Sequence, residues 1–360
     1  MKKSIIALAL FGAGMTQAHA QSNVTIYGII DAGVTYVNND SGNRTSVEAG
    51  QMQVSRWGFK GVEDLGGGVK ARFGLEGTLL NDTGGAGVAT GTPSSTSLFD
   101  REATVGLITN YGSIDIGRQN ILGVQSVGMA DPMGLAFAAT SPNVLFSALN
   151  NSAVYGAFGS NNGGTALREN NSIRYVSPNF KGVGFALMRG FGEQPGDVHK
   201  SAYEGVSAFY HGGGPLSVGG AYARLKNNLG TDRLTSHAFG IKYIFPVVVL
   251  KSTYSENRLD SSRRKISVFG VGADFLVAPA VTLTAAFYNT KRSGDANDKS
   301  QQLIGIAKYA FSKRTSGYVS IGRATTDTVV TATQINLAQG FVAVGSDKAN
   351  RATTGVIHYF

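Results

Sequence analysis

From residue 24 onward, apolar and polar side chains take turns. Val24, Ile26, Ile30, Ala32 and Val34 fall on one side of an extended segment, and Thr25, Tyr27, Asp31 and Thr35 on the other. Phe269, Val271, Ala273, Phe275 and Val277 alternate with Gly270, Gly272 and Asp274. Val281, Leu283, Ala285 and Phe287 alternate with Thr282, Thr284, Ala286 and Tyr288. Val319 and Ile321 alternate with Tyr318, Ser320 and Gly322. A period of two is that of a strand whose two faces meet different surroundings. The alternation blurs around 247–250 and 304–306. Nowhere does the chain offer the ~20 mainly apolar residues of a membrane helix.

Turn signals centre on Asn179, Gly213, Pro246, Pro279 and Lys313, at intervals of 34, 33, 33 and 34 residues. Longer polar stretches lie between them, at 192–201, 226–233, 257–264 and 291–300. Earlier tight turns are Asp64 to Gly68 and Asn110 to Gly112. Short and long connections therefore alternate, so the two ends of the sheet differ. About 16 strands result, over 23–37, 53–63, 69–80, 98–109, 112–119, 170–178, 181–190, 203–211, 215–225, 235–245, 247–256, 265–277, 280–290, 301–311, 314–324 and 350–360. This is the arrangement of an antiparallel transmembrane β-barrel of the outer-membrane type, with an even strand count and both termini at the short-turn end.

An open sheet edge in hydrocarbon would leave unpaired N–H and C=O groups, at several kcal/mol each, so a spanning sheet must close. At this strand number the lumen is too wide for side chains to fill and holds water. A soluble antiparallel β-protein is the alternative; its long loops need not fall on alternate connections.

Met1-Lys2-Lys3, the apolar run Ile5 to Phe11 and Ala18-His19-Ala20 read as an export signal, residues 1–20, with the mature barrel over 21–360. The alternative is a single N-terminal membrane helix, for which the run is short. Charged residues are 15% of the chain, against about 25% in soluble proteins. Lys and Arg number 32 against 23 Asp and Glu, a net charge of +9. The basic excess is dispersed and the chain exported, which argues against nucleic acid. Cysteine is absent, which excludes disulfides, thiol nucleophiles and cysteine metal sites. No histidine has metal-ligand spacing, and no glycine cluster is followed by Lys-Ser/Thr as in a phosphate loop. No cofactor is expected. His199 near Asp197 is the one hint of a hydrolase at the rim; an adhesive barrel without current is a further alternative.

Several motifs together are similar to one family. VTIYGIIDAGV (Val24 to Val34), SRWGFKGVEDLGGGVKARFGLEG (Ser55 to Gly77), ATVGL (Ala103 to Leu107), YGSIDIGRQ (Tyr111 to Gln119), NNSIRYVSPNFKG (Asn170 to Gly182), YIF (Tyr243 to Phe245), YAFSKRT (Tyr309 to Thr315) and the terminal Phe360 appear in order along the mature chain. The sequence resembles the trimeric general porins of Gram-negative outer membranes, betaproteobacterial type. The resemblance implies a 16-stranded barrel, a homotrimer, and a long third loop folded into the lumen. It also implies outer-membrane lipid and lipopolysaccharide around the barrel, assembly machinery that reads the C-terminal strand, and small ions and solutes as cargo. A substrate-selective porin is the narrower version.

The third-loop slot is 120–166, long enough to suggest a functional insertion. It is uncharged from Pro132 to Leu167, with Leu145 to Leu149 as a candidate short helix. Apolar residues such as Leu135, Phe137 and Phe146 favour cover over a surface flap. By parity, inward basic candidates are Arg56, Lys60, Lys70, Arg72, Arg174, Lys242, Lys251 and Lys308; acidic ones are Asp31, Glu76, Asp115 and Asp274. The resemblance places a cluster of arginines on the wall facing the third loop, and motif position assigns it to Arg56, Arg101 and Arg168. Parity supports Arg56 but not Arg101, which shares a face with Ala103 and Val105. Arg72 and Lys70 are expected to extend the basic wall, with Asp131 and Glu76 as an acidic side. Arginine stays charged at any relevant pH and presents a planar fork to anions, and basic rings favour anions in pores. The expected consequence is a weak to moderate anion preference; the alternative is that carboxylates neutralise these arginines. Tyr27, Tyr36, Tyr175, Tyr243, Phe245, Tyr309 and Phe311 are candidates for interfacial girdles.

Overall fold

A computed structural model describes residues 23–86, 97–136, 141–146, 152–159, 167–338 and 341–360. The expected leader, Phe137 and 147–149 lie outside the described residues. Sixteen strands close into one antiparallel barrel. They are β1 (Asn23–Asn39), β2 in two stretches (Gly42–Ala49 and Arg56–Gly66), β3 (Val69–Leu80), β4 (Glu102–Thr109), β5 (Gly112–Asn120), β6 (Arg168–Val176), β7 (Val183–Gly190) and β8 (Tyr203–His211). There follow β9 (Leu216–Lys226), β10 (Arg233–Ile244), β11 (Val248–Leu259), β12 (Lys265–Ala278), β13 (Val281–Ser293), β14 (Asp298–Ala310), β15 (Thr315–Thr326) and β16 (Lys348–Tyr359). Each strand pairs with its neighbour in sequence, and β16 pairs with β1 from Ile29 opposite Tyr359 to Asn39 opposite Ala349, so no edge is left open.

The alternation of the sequence becomes two surfaces. Val24, Ile26, Phe239, Val271, Leu283, Leu303 and Ile321 stand exposed on the outer face, where lipid rather than water suits them. Their neighbours Thr253, Ser255, Ile266, Tyr288 and Thr290 are buried on the inner face. Near the short turns, the tilted rings of Tyr243 and Phe245 lie 4.4 Å apart and Tyr309 meets Phe311 edge to face at 5.3 Å, an arrangement that suits the membrane–water boundary. Tyr27 departs from the expected girdle. Its parity is inward, and its hydroxyl donates to Glu76 Oε2 at 3.1 Å beneath the Lys60 ammonium.

Three elements differ from the sequence reading. The second strand has an outer stretch, Gly42–Ala49, whose composition (GNRTSVEA) shows little alternation; it exists because β1 supplies its ladder. Strands run into the polar stretches at 257–264, as far as Leu259, and at 291–300, over 291–293 and 298–300, because cross-strand pairing continues beyond the apolar band into charged hairpins. Within the connection 327–347, which sequence patterning does not single out, Val330, Leu337 and Phe341 are buried, with the Phe341 ring against Gly322.

Candidate pore constriction

The connection between β5 and β6 carries α1 (Leu122–Gly128), α2 (Pro142–Phe146) and α3 (Ser152–Tyr155). The α2 helix begins three residues before the expected 145–149. α1 lies against β9 and β10, on the face opposite the exposed apolar rows. Glycines make this approach possible. A Cβ on Gly240 would collide with the Ser126 carbonyl oxygen, one on Gly219 with the Met129 side chain, and one on Gly272 with Pro132. All three have inward parity. Small inward residues on neighbouring strands are thus a sequence signal for a loop-docking wall, of which the pattern reading noted only Gly272, as the polar side of its strand.

Asp131 fastens the same connection. Its carboxylate accepts the backbone N–H of Leu135 at 2.8 Å and of Met133 at 3.1 Å, the Asn143 amide at 2.6 Å, the Ser141 hydroxyl at 3.2 Å, and the Tyr288 hydroxyl of β13 at 3.1 Å. Asn143 also donates to Thr253 of β11 at 2.9 Å. Burial pushes the Asp131 carboxyl above its ordinary range, against the pull of these donors. The residue is 1% exposed. Asp131 therefore does not serve as the expected acidic lining; its carboxylate is spent on tying the connection to itself and to β13.

The arginines assemble on the opposite arc, β1 to β6. Arg101 Nε donates to Glu76 Oε1 at 2.6 Å, and Arg56 Nε lies 3.6 Å from Glu76 Oε2. Arg168 Nε donates to the Arg101 carbonyl at 2.8 Å. Arg101 lies close enough to both Arg56 and Arg168 to repel each. The parity objection to Arg101 dissolves because β4 begins at Glu102: Arg101 has left the alternation and reaches Glu76 from the strand's entry. Glu76 in turn is no separate acidic side, since it stands within the arginine group. Arg118 joins the group through Asp100, whose carbonyl accepts from Nε at 2.6 Å, and through Asn170 Oδ1 at 2.5 Å. Sequence parity missed it because the ladder slips between Gly117 and Gln119, with Gly117 at φ +128°.

Arg72 and Lys70 are placed elsewhere. They lie four and six residues from Glu76 toward the short turn, about 13–20 Å along the strand. Arg72 grips Asp115 with two bonds, 2.6 Å from Nε and 2.5 Å from Nη2, and Arg174 reaches the same carboxylate at 3.2 Å. Lys70 is exposed at the mouth of that end. The expected single basic wall is thus two tiers.

The His199–Asp197 pair is a turn: the backbone N–H of His199 donates to Asp197 Oδ1 at 2.8 Å. Among the described residues no helix is long and apolar enough to cross a membrane, and no cluster of His, Asp and Glu could hold a metal.

The chain is similar to outer membrane porin protein 32 of Delftia acidovorans, 32% identical over 99% of this chain and 98% of that protein. It is 29% identical to the major outer membrane protein P.IB of Neisseria meningitidis serogroup B, over 89% of this chain and 93% of the other. Among solved structures, an anion-selective porin from Comamonas acidovorans superposes with a TM-score of 0.76 and 25% identity, over 94% of this chain and all of that one. The family model for Gram-negative porins matches residues 4–329. A closed 16-stranded wall, apolar outside and polar inside, and relatives alike along nearly their whole length lead to one conclusion: the chain belongs to the Gram-negative porins, channel proteins of the outer membrane.

Proposed function

We propose that this porin passes ions and small hydrophilic solutes by passive diffusion with a weak to moderate preference for anions, without catalysis, and that Arg56, Arg101 and Arg168 set the preference. The observation that carries it is the gathering of these side chains around Glu76 on one arc of the inner wall. Four arginines, counting Arg118, stand against Glu76, Asp100 and Glu169, with Glu102 directly opposite Glu76, so the group is close to charge balance. The preference expected from it is correspondingly small. On this reading α1 and the residues around Asp131, which lie against β9 to β13, narrow the lumen opposite this arc. The two-tier wall, with Lys60, Lys70 and Arg174 nearer the short turns, gives an anion a second positive zone.

The name of the Comamonas relative, an anion-selective porin, supports the same sign. Reversal potential across a salt gradient in planar bilayers tests it. Anion preference is expected, with Arg56→Ala moving it toward cations; cation preference in the unaltered protein refutes it.

The chain is further proposed to be exported by a leader over 1–20, to be recognised through β16 by the barrel assembly machinery, and to assemble as a homotrimer; an outer membrane protein of Vibrio cholerae alike in fold is described in trimer form. On the outer face, beyond Phe239, Tyr254, Phe269 and Leu303, a basic belt crosses β9 to β14. Arg258 stands directly opposite Lys265, whose ammonium pairs with Glu256 at 2.8 Å, and Lys291 stands opposite Lys299. Like charges placed opposite each other cost stability, and a layer of phosphate-bearing lipid headgroups, such as lipopolysaccharide supplies, would offset that cost.

A further inference from the structure

Asp31 lies on the inner face of β1 at the seam where the barrel closes, and it is completely buried. Around it, β2 breaks its ladder. Between the Ala32–Ala49 and Ile29–Arg56 pairs, β1 advances three residues while β2 spends seven. The four extra residues are taken up in a detour over 50–55, and five of the bonds that shape it end on Asp31. Its Oδ2 accepts the backbone N–H of Met52 at 2.6 Å and of Gln53 at 2.8 Å. Its carbonyl accepts the N–H of Gly50 at 2.8 Å and the Ser55 hydroxyl at 3.1 Å, and its own N–H donates to Ser55 Oγ at 2.9 Å.

The other carboxylate oxygen is held from two strands away. Tyr318 of β15 reaches across β16 to donate its hydroxyl to Asp31 Oδ1 at 2.6 Å. It passes over Gly355 and Gly33, where a Cβ would collide with the phenol or crowd it. Arg351 of β16 ties the near end of the detour through Gln51 Oε1 at 2.5 Å.

The detour ends at Arg56. The Val54 carbonyl, inside it, accepts from Arg56 Nη1 at 3.1 Å, and the Ser55 carbonyl accepts the Leu79 N–H at 2.9 Å. The guanidinium that meets Glu76 is therefore oriented by a loop whose shape Asp31 dictates. We infer that Asp31, locked by Tyr318, is a positioning residue for ion selectivity: it sets the place of Arg56 in the arginine group without itself meeting the current. This rests on the reading of Arg56 as a selectivity determinant.

The sign of the effect separates this role from plain electrostatics. Deleting a negative charge beside a pore would raise anion preference or leave it unchanged. Deleting a positioning carboxylate lets Arg56 wander and lowers it. In Asp31→Asn the amide oxygen can still serve Met52 and Gln53, but its NH2 end meets Tyr318 only by donating to a hydroxyl that must turn round, so the charge-assisted bonds that lock the carboxylate are lost. Tyr318→Phe removes one bond and leaves every charge in place.

The experiment measures reversal potential across a potassium chloride gradient for the refolded full barrel and for Asp31→Asn, Tyr318→Phe, Arg56→Ala and the Asp31→Asn/Arg56→Ala pair. Asp31→Asn is expected to shift selectivity toward cations by roughly half the Arg56→Ala shift, Tyr318→Phe less in the same direction, and the pair no further than Arg56→Ala alone, as for residues acting through one group. An unchanged or more anionic Asp31→Asn channel, or additive shifts in the pair, would overturn the inference while leaving the Arg56 reading intact. If Arg56→Ala itself does nothing, both fall. Should Asp31→Asn fail to insert, Tyr318→Phe and its pair with Arg56→Ala decide by the same criteria.

Discussion

The inner wall solves one problem in two ways on its two arcs. Across β1 to β6 it is lined by long charged side chains that satisfy one another: Arg56 and Arg101 on Glu76, Arg72 and Arg174 on Asp115. Across β9 to β13 the small and polar residues Gly219, Gly240, Gly272, Thr253 and Tyr288 meet α1, Pro132, Met133 and Asn143, with one ion pair, Lys251–Asp274, beside Pro132. The charged arc needs water and ions beside it. The small-residue arc needs a lid of its own chain. The contrast teaches that the lumen's shape and its charge reside in different residues, so substitutions should move one property without the other.

The largest expected effect breaks the lid. Asp131→Ala removes one acceptor from five donors, of which Met133 and Asn143 keep a second partner, and groups left buried and unpaired cost about 1–3 kcal/mol each. Even a partial loss on that scale loosens the connection. Open-channel noise and protease cleavage within 121–167 should both rise strongly, while reversal potential stays near that of the unaltered protein. A quiet, protease-resistant Asp131→Ala channel would show that the glycine wall alone holds the lid.

Gly240→Val attacks the same contact from the wall. The new side chain must displace the Ser126 carbonyl, at about 1–3 kcal/mol for overpacking. A changed unit conductance is expected, smaller than the disturbance from Asp131→Ala and again without a change of ion preference.

The reverse dissociation belongs to the charged arc. Arg101→Gln leaves Glu76 to Arg56 alone, so anion preference should fall while noise and protease resistance hold. If Arg101→Gln instead loosened the connection, the separation of shape from charge would be wrong.

Most of the barrel is legible in the sequence because a wall between lipid and water imposes a period of two, and because short turns need Gly, Pro and Asn at fixed places. The outer stretch of β2 escaped because its polar residues carry no such signature. At the site, Arg56 follows from parity. Arg101 does not, because it lies one residue outside its strand, and Arg118 does not, because a slipped ladder at Gly117 resets the alternation. Asp131 looked like a free charge in an uncharged stretch. Its five partners are brought together only by the tertiary fold, and no local pattern announces them.

The outer surface sharpens the comparison with the smallest effect. The arc that carries the covered wall inside carries the basic belt outside. Neither Arg258 nor Lys291 has an ion-pair partner within the described residues, and Lys299 has only Asp327 at 3.8 Å. In neutral detergent, Lys291→Gln removes a like-charge opposition, worth about 0.2–1 kcal/mol, so the thermal midpoint should rise slightly or hold. In vesicles containing lipopolysaccharide the same substitution removes a phosphate contact, and the midpoint should fall relative to the unaltered barrel. The change of sign between the two media is the decisive feature. A purely structural role would move the midpoint the same way in both, and would leave the belt with no relation to the lipid that surrounds it.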